Sequence, residues 1–247
     1  LYIAAQNPTA TNPNNIDLFM TQYEVLDRDD DGNYLYLWGE LSPISNVNTN
    51  EGWEAQPALS ADGKQLYYAS VNEHSIKDDA GNPTMDIWIT ERNDAGEWGK
   101  PHLMPRPINS KFNDKAPFLH PDGNTLYFSS DRSPSGGGYD IWYCHRDSTG
   151  HWEDAKNLGA PVNTEGDEHG LVVSTDGEEA FFASRRPGTK GLDILQFPVP
   201  EEFKPEEVRV VKGALQATDG GIPPGALLYL QYAKSKRIET IEINEDD

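Results

Sequence analysis

Three alternating aspartates and a glycine, Asp27, Asp29, Asp31 and Gly32 in the stretch DRDDDGNY, carry the clearest chemical signal in the chain. Carboxylate oxygens are hard ligands, and a glycine turn draws them together. Asp27, Asp29 and Asp31 are therefore candidate calcium ligands, and calcium is the one cofactor the sequence offers. The twelfth position of a standard loop is Trp38 rather than glutamate. Matching segments elsewhere read NDAG and DSTG, which are plain hairpin turns, so a solvated acidic turn is the competing reading.

Other reactive residue types fail on spacing. There is no G-x-S-x-G, no H-E-x-x-H and no phosphate-binding loop. The glycine run SGGGYD, Ser135 to Asp140, opens a strand-like segment, so no helix terminus awaits a phosphate. The six histidines are dispersed, and His169 beside Asp167 and Glu168 forms only a rim cluster. The expectation is an absence of catalytic residues and no enzyme. Forty-one acidic against 20 basic residues give a formal net charge of -21, which disfavours nucleic acid and anionic lipid as partners. The single Cys144 excludes an internal disulfide and sits in DIWYCHRD, where it packs as a small hydrophobe. No apolar run approaches the roughly 18 residues of a membrane span.

The elements that must position any site come from a repeat. SADGKQLYYAS, HPDGNTLYFSS and STDGEEAFFAS align on Asp62, Asp122 and Asp176, 60 and 54 residues apart. After each comes a second apolar run, MDIWIT, YDIWYC or LDILQF, with IDLFMT in a first, shortened copy. A polar turn and a tryptophan follow (Trp38, Trp98, Trp152), then LMPRPINS, LGAPVNT or LSPISNVNT. Short strands rich in β-branched and aromatic residues, bounded by Asp-Gly turns, recur four to a unit. That is the grammar of a β-propeller blade. Blade fragments span Leu1 to Leu41, Pro57 to Leu103, Pro117 to Leu158 and Leu171 to Pro198. The first lacks its innermost strand and the last its outermost. The segment LYIAA at the start overlays LYYAS and LYFSS, so the chain is expected to be a piece of a longer protein whose propeller has five or six blades. The repeated tryptophans are assigned to packing between blades. Asp17, Asp86, Asp140 and Asp193 are assigned to backbone hydrogen bonds where a strand starts. Glu54, Asp114 and Glu168, eight residues before each anchor, belong to the same pattern.

The expected fold class is all-β: a propeller over 1–200, a charged linker over 201–207, and over 208–247 the first half of a small β-sandwich, punctuated by TDGGIPPG. The propeller phrases resemble the TolB-type, WD-like repeat. The tail, VKGALQATDGGIPPGALLYL, resembles a carboxypeptidase-regulatory-like domain. In this order the two resemble the OmpA-family envelope proteins of Bacteroidota, a type IX secretion subunit among them. The resemblance implies a periplasmic location at the outer membrane. It also implies protein partners bound by rim loops such as Val71 to Thr84, and peptidoglycan bound by a domain outside this chain. The function expected from it is a non-catalytic scaffold. The alternatives are a glycan- or peptide-binding propeller, with or without calcium, and the propeller domain of a larger hydrolase.

Overall fold

The computed structural model describes residues 1–7, 15–29, 33–50, 52–134, 137–186, 188–209, 227–231 and 238–242. The chain divides into two compact units, Leu1–Arg209 and Val210–Asp247. In the first, β1 (Tyr2–Gln6), β2 (Ile16–Met20) and β5 (Ser42–Pro43) make one blade, interrupted by a hairpin of β3 (Tyr23–Arg28) and β4 (Tyr34–Trp38). The second blade runs β6 (Trp53–Leu59), β7 (Gln65–Val71), β8 (Asp86–Glu91) and β9 (His102–Leu103). The third runs β10 (Asp114–Leu119), β11 (Thr125–Ser130), β12 (Asp140–His145) and β13 (Lys156–Asn157). The fourth has β14 (Glu168–Val173), β15 (Glu179–Ser184) and β16 (Asp193–Pro198), followed by one 3-10 turn, Glu201–Phe203. All strand pairs are antiparallel, and all join consecutive strands except β2 with β5, which the β3–β4 hairpin separates. The chain is an all-β propeller. In the second unit, β17 (Leu227–Gln231) pairs antiparallel with β18 (Ile238–Glu242); the TDGGIPPG turn lies outside the described residues.

The repeated phrase now has physical content. Asp62 Oδ1 accepts hydrogen bonds from Ser60 Oγ (2.5 Å) and Lys64 N (3.0 Å), which closes the first hairpin of the blade. Gly63 takes φ +69°, a conformation costly for any side chain. The strand after the turn is apolar on both faces. Tyr67 packs toward the third blade with Ile87, Leu126 and Trp142, whereas Leu66 and Tyr68 pack toward the first with Leu18 and Trp98. Alternation across a strand therefore gives each blade two neighbours to bury against. The first strands start earlier than the sequence reading placed them, at Trp53, Asp114 and Glu168, because each continues through a β-bulge toward its acid.

Two assignments need correction. Trp98 is 6% exposed, stacks edge-on with Tyr2 at 6.0 Å and lies under Arg92 at 4.5 Å. Trp152 has the matching partner in Arg146 at 4.4 Å. Trp38 is 49% exposed and packs against Tyr23 (5.2 Å) in its own hairpin, because that hairpin extends as an arm beyond its blade. The four strand-start aspartates also differ from one another. Asp86 and Asp193 accept backbone N–H from Ile76 (2.7 Å) and Lys190 (3.2 Å), but Asp17 and Asp140 accept side-chain amides of Asn7, Asn15 and Asn157.

Trp98→Ala is expected to cost about 3–5 kcal/mol of stability in urea unfolding, as buried aromatic truncations do. Trp38→Ala should cost less than about 1 kcal/mol, the scale of a cross-strand aromatic pair. Equal losses would refute the distinction between blade core and arm.

Candidate functional site

The blades come together around buried acids. Glu54, Asp114 and Glu168 are each fully buried at the start of a first strand. Each accepts hydrogen bonds from the backbone N–H and hydroxyl of a linker residue: Thr49, Ser110 and Thr164. The residue after each acid differs: Ala55, Lys115 and His169. Immediately beyond lies the bulge, with Gln56 at φ 55°, Ala116 at φ 50° and Gly170 at φ 63°. A bulge bends its strand and re-aims neighbouring side chains.

In the third and fourth blades this brings Lys115 and His169 onto one ring. Lys115 Nζ lies 3.4 Å from the centroid of Tyr139, and the His169 ring centroid is 5.3 Å from the same ring. Tyr139 is held from both sides of its peptide. Its N–H donates to Asp167 Oδ1 (2.9 Å), and its carbonyl accepts from Glu168 N (2.7 Å). The glycines before it allow this approach. A Cβ on Gly138 would stand 2.0 Å from Asp167 Oδ1, and one on Gly137 would stand 2.1 Å from the Glu165 carbonyl. The run SGGGYD thus serves close backbone packing.

Burial pushes the Lys115 ammonium down, against the opposing charges of Asp167 and Asp131. Burial, and then the charge of Lys115, pushes His169 down as well, against Asp167 and Glu168. Burial raises the Tyr139 hydroxyl to about 12, with Asp131 and Asp167 adding to it. His169 is therefore a neutral imidazole at neutral pH, and its buried Nδ1 has no hydrogen-bond partner. A cation, an aromatic face and an imidazole ring converge here. Such a group can neutralise or polarise an oxygen of a ligand and accept a proton or hydrogen bond from it. Sequence reading passed over Lys115 and Tyr139. The signal that could have found them is the unequal residue, Ala, Lys or His, at one position of the repeat.

The sequence-predicted metal ligands lie elsewhere, on the arm. Asp29 accepts from Asn33 N (2.8 Å) and Asn33 Nδ2 (3.1 Å), and Asp27 Oδ1 accepts from Arg28 N (2.7 Å). Asp31 is outside the described residues. Among the described residues no three His, Cys, Asp or Glu side chains gather as a metal site. Nor is any helix there long and apolar enough to cross a membrane. A cleft of about 530 Å³ opens at the other end of the first strands, between Asp62, Lys64, Arg92 and Arg146.

No family model matches the chain, and no curated protein matches it. Solved structures similar to it include a Mycobacterium tuberculosis puromycin-hydrolyzing peptidase, at 14% identity and TM-score 0.44, over 97% of this chain and 34% of that one. The chain thus spans about a third of that peptidase. Others are an endo-arabinase from Bacteroides thetaiotaomicron (16%, TM-score 0.42, 75% and 71% of the two chains) and an alpha-L-arabinofuranosidase from Lactobacillus brevis (14%, TM-score 0.47, 87% and 73%). These findings correct three expectations. The similar structures named are hydrolases and not OmpA-family envelope proteins, so the family assignment, the non-catalytic scaffold and the exclusion of enzymes are withdrawn. The physical reason is that the quoted phrases are fold grammar. Asp62, Gly63 and Leu66 close a turn and fill a core, which any propeller of this design requires.

The depressed His169 has a defined linkage. The unfolded chain binds the proton more readily than the fold, so stability is complete above the ordinary histidine pKa of about 6.5 and falls as pH drops below it. In thermal melts from pH 7 to pH 5, His169→Asn should flatten this fall relative to the unaltered protein. Parallel pH profiles for the two would count against a neutral, buried imidazole.

Proposed function

We propose that the chain is the propeller domain of a hydrolase, and that Lys115, Tyr139 and His169 hold its substrate. One observation carries the reading: two adjacent first strands place a lysine and a histidine at the same repeat position, closed on a single tyrosine ring. The other repeat positions are occupied by folding, whereas this one is occupied by chemistry. Lys115 supplies the charge that meets a substrate carbonyl, carboxylate or ring oxygen. Tyr139 supplies the wall, and the His169 imidazole supplies the acceptor for a substrate hydroxyl or an attacking water. Asp131, fixed by Asn113 N and Nδ2 at 2.8 Å each, and Asp167 keep Lys115 charged and oriented.

The test is hydrolysis by the protein of arabino-oligosaccharides and of short peptides, the two substrate classes to which the similar enzymes belong. Lys115→Met should lower kcat/KM by about 10- to 100-fold, the worth of one charge-assisted contact. His169→Asn should lower kcat and remove the acidic limb of the pH profile. Melting temperatures should stay within a few degrees, because neither side chain is in a blade core. Cleavage that survives both substitutions unchanged, or no cleavage of either class, would overturn the reading.

A further inference from the structure

The first blade interface lacks a cation that the next two possess. In the third blade Arg132 donates to Asp114 Oδ1 (2.5 Å), Ser130 Oγ (3.0 Å), the Pro107 carbonyl (2.8 Å) and the Ile108 carbonyl. In the fourth, Arg186 repeats the set: Glu168 Oε1 (3.4 Å), Ser184 Oγ (3.1 Å), the Pro161 carbonyl (2.8 Å) and the Val162 carbonyl. Each guanidinium ties a buried acid to the linker that leads into its blade. In the second blade the same position is Asn72, two residues beyond Ser70 as Arg132 is beyond Ser130. Its amide donates to Ser70 Oγ (3.0 Å) and accepts from His74 N (2.9 Å).

Glu54 is 0% exposed, and its donors are neutral: Thr49 N, Thr49 Oγ1 and Ser70 Oγ, at 2.8–3.1 Å. Burial raises its pKa; those bonds lower it, and the nearby Asp17 carboxylate raises it again. Asp17 is 3% exposed and accepts Asn7 Nδ2 (2.5 Å) and Asn15 Nδ2 (2.9 Å), again neutral donors. Among the described residues no Lys, Arg or His pairs with either acid. A second, independent sign lies beside them. Asn15 is 2% exposed, its amide nitrogen bridges Asp17 Oδ1 and the Thr49 carbonyl, and its Oδ1 on the same amide has no partner. A buried acceptor without a donor costs free energy, and two close buried carboxylates without a countercharge cost more.

We infer that a hard divalent cation, Ca²⁺, binds between the first and second blades, held by the carboxylates of Asp17 and Glu54 and the amide oxygen of Asn15, where the next two interfaces use a guanidinium. Calcium takes carboxylate, amide and backbone oxygens in flexible geometry. The carbonyls of Asn46 and Val47, counterparts of Pro107 and Ile108 in the linker, are further oxygens of the kind it accepts. The cation then meets the buried acid of this interface where Arg132 and Arg186 meet those of the next two. This site is separate from Asp27, Asp29 and Asp31 on the arm.

The experiment is calorimetric melting and titration of chelator-stripped protein with CaCl₂, with MgCl₂ and NaCl as comparisons. Calcium at about 100 times its dissociation constant should raise Tm by about 5 °C. Glu54→Gln should abolish the response. Asn72→Arg should also abolish it, while raising the Tm of the stripped protein, because it installs the cation of the neighbouring blades. Asp29→Ala should leave the response intact. No calcium response in the unaltered protein, an undiminished response in Asn72→Arg, or a response lost with Asp29→Ala would each overturn the assignment. If Glu54→Gln does not fold, Asn72→Arg still decides.

Discussion

A carboxylate taken out of water must be met by donors, and each blade interface of this propeller is organised around one. Glu54, Asp114 and Glu168 sit where the linker from one blade turns into the first strand of the next. The residue that caps the acid, Thr49, Ser110 or Thr164, follows an asparagine that does the complementary work. Asn109 Oδ1 accepts from Ile87 N and its Nδ2 donates to the Ile87 carbonyl, both at 2.8 Å. Asn48 treats Leu18 in this way, and Asn163 treats Ile141. One side of the linker is thus sewn to the blade behind and the other to the blade ahead. Removing either partner of a buried, paired charge such as Asp114 and Arg132 typically costs about 3–5 kcal/mol, because the survivor keeps its desolvation penalty.

The same constraint creates the candidate site. An acid that points into the interface fixes the strand on one side, and the bulge that follows re-aims what stands between. Gln56 and Ala116 hold left-handed backbone there, and the Ala116 N–H donates to Gln56 Oε1 (2.9 Å), so the strained segments of successive blades brace one another. The residue between acid and bulge varies from blade to blade: Ala55, Lys115 and His169. Ala55 packs there; Lys115 and His169 meet there on the Tyr139 ring. Variation at a fixed point of a rigid repeat is how such folds carry different functions.

What was legible in the sequence follows from what repetition displays. Asp-Gly turns, double-faced strands such as Leu66 to Tyr68, and the buried acids recur, so comparing the chain with itself exposes them. The architecture and the blade order could be read in this way. The bulge could not, because Gln56, Ala116 and Gly170 share a backbone conformation and no side-chain type. The site was hidden for the opposite reason. Lys115, Tyr139 and His169 are 54 residues apart at the extremes, and only the packing of adjacent blades brings them together. Trp38 misled because its repeat position was right while its surroundings differed. Nine additional residues between Tyr23 and Trp38, relative to Arg92 and Trp98, lift it from the core onto an arm.

Buried acids also set how the fold responds to pH, and they do so with opposite signs. Burial raises Asp86 to about 7, and neighbouring Asp114 adds to it. The fold then holds this proton more tightly than the unfolded chain, so its contribution is full below about pH 4 and is lost as pH rises toward 7. Asp122 is the reverse. Burial opposes its charge, but the neighbouring His120 ring and the hydrogen bonds that Asn124 and Thr125 donate to the carboxylate bring it to about 2. Its contribution is present above about pH 4 and disappears as pH falls toward 2. Both groups are buried; what separates them is the donors each meets. Asp122 closes a hairpin whose backbone N–H groups converge on it, and it also receives Glu206 N (3.0 Å) from the segment after the propeller. Asp86 shares its interface with a second acid, and the single guanidinium of Arg132 is bound to that other acid. Among the described residues, the interface between the second and third blades therefore holds two buried acids to one cation, and the interface between the first and second holds Asp17 and Glu54 with none.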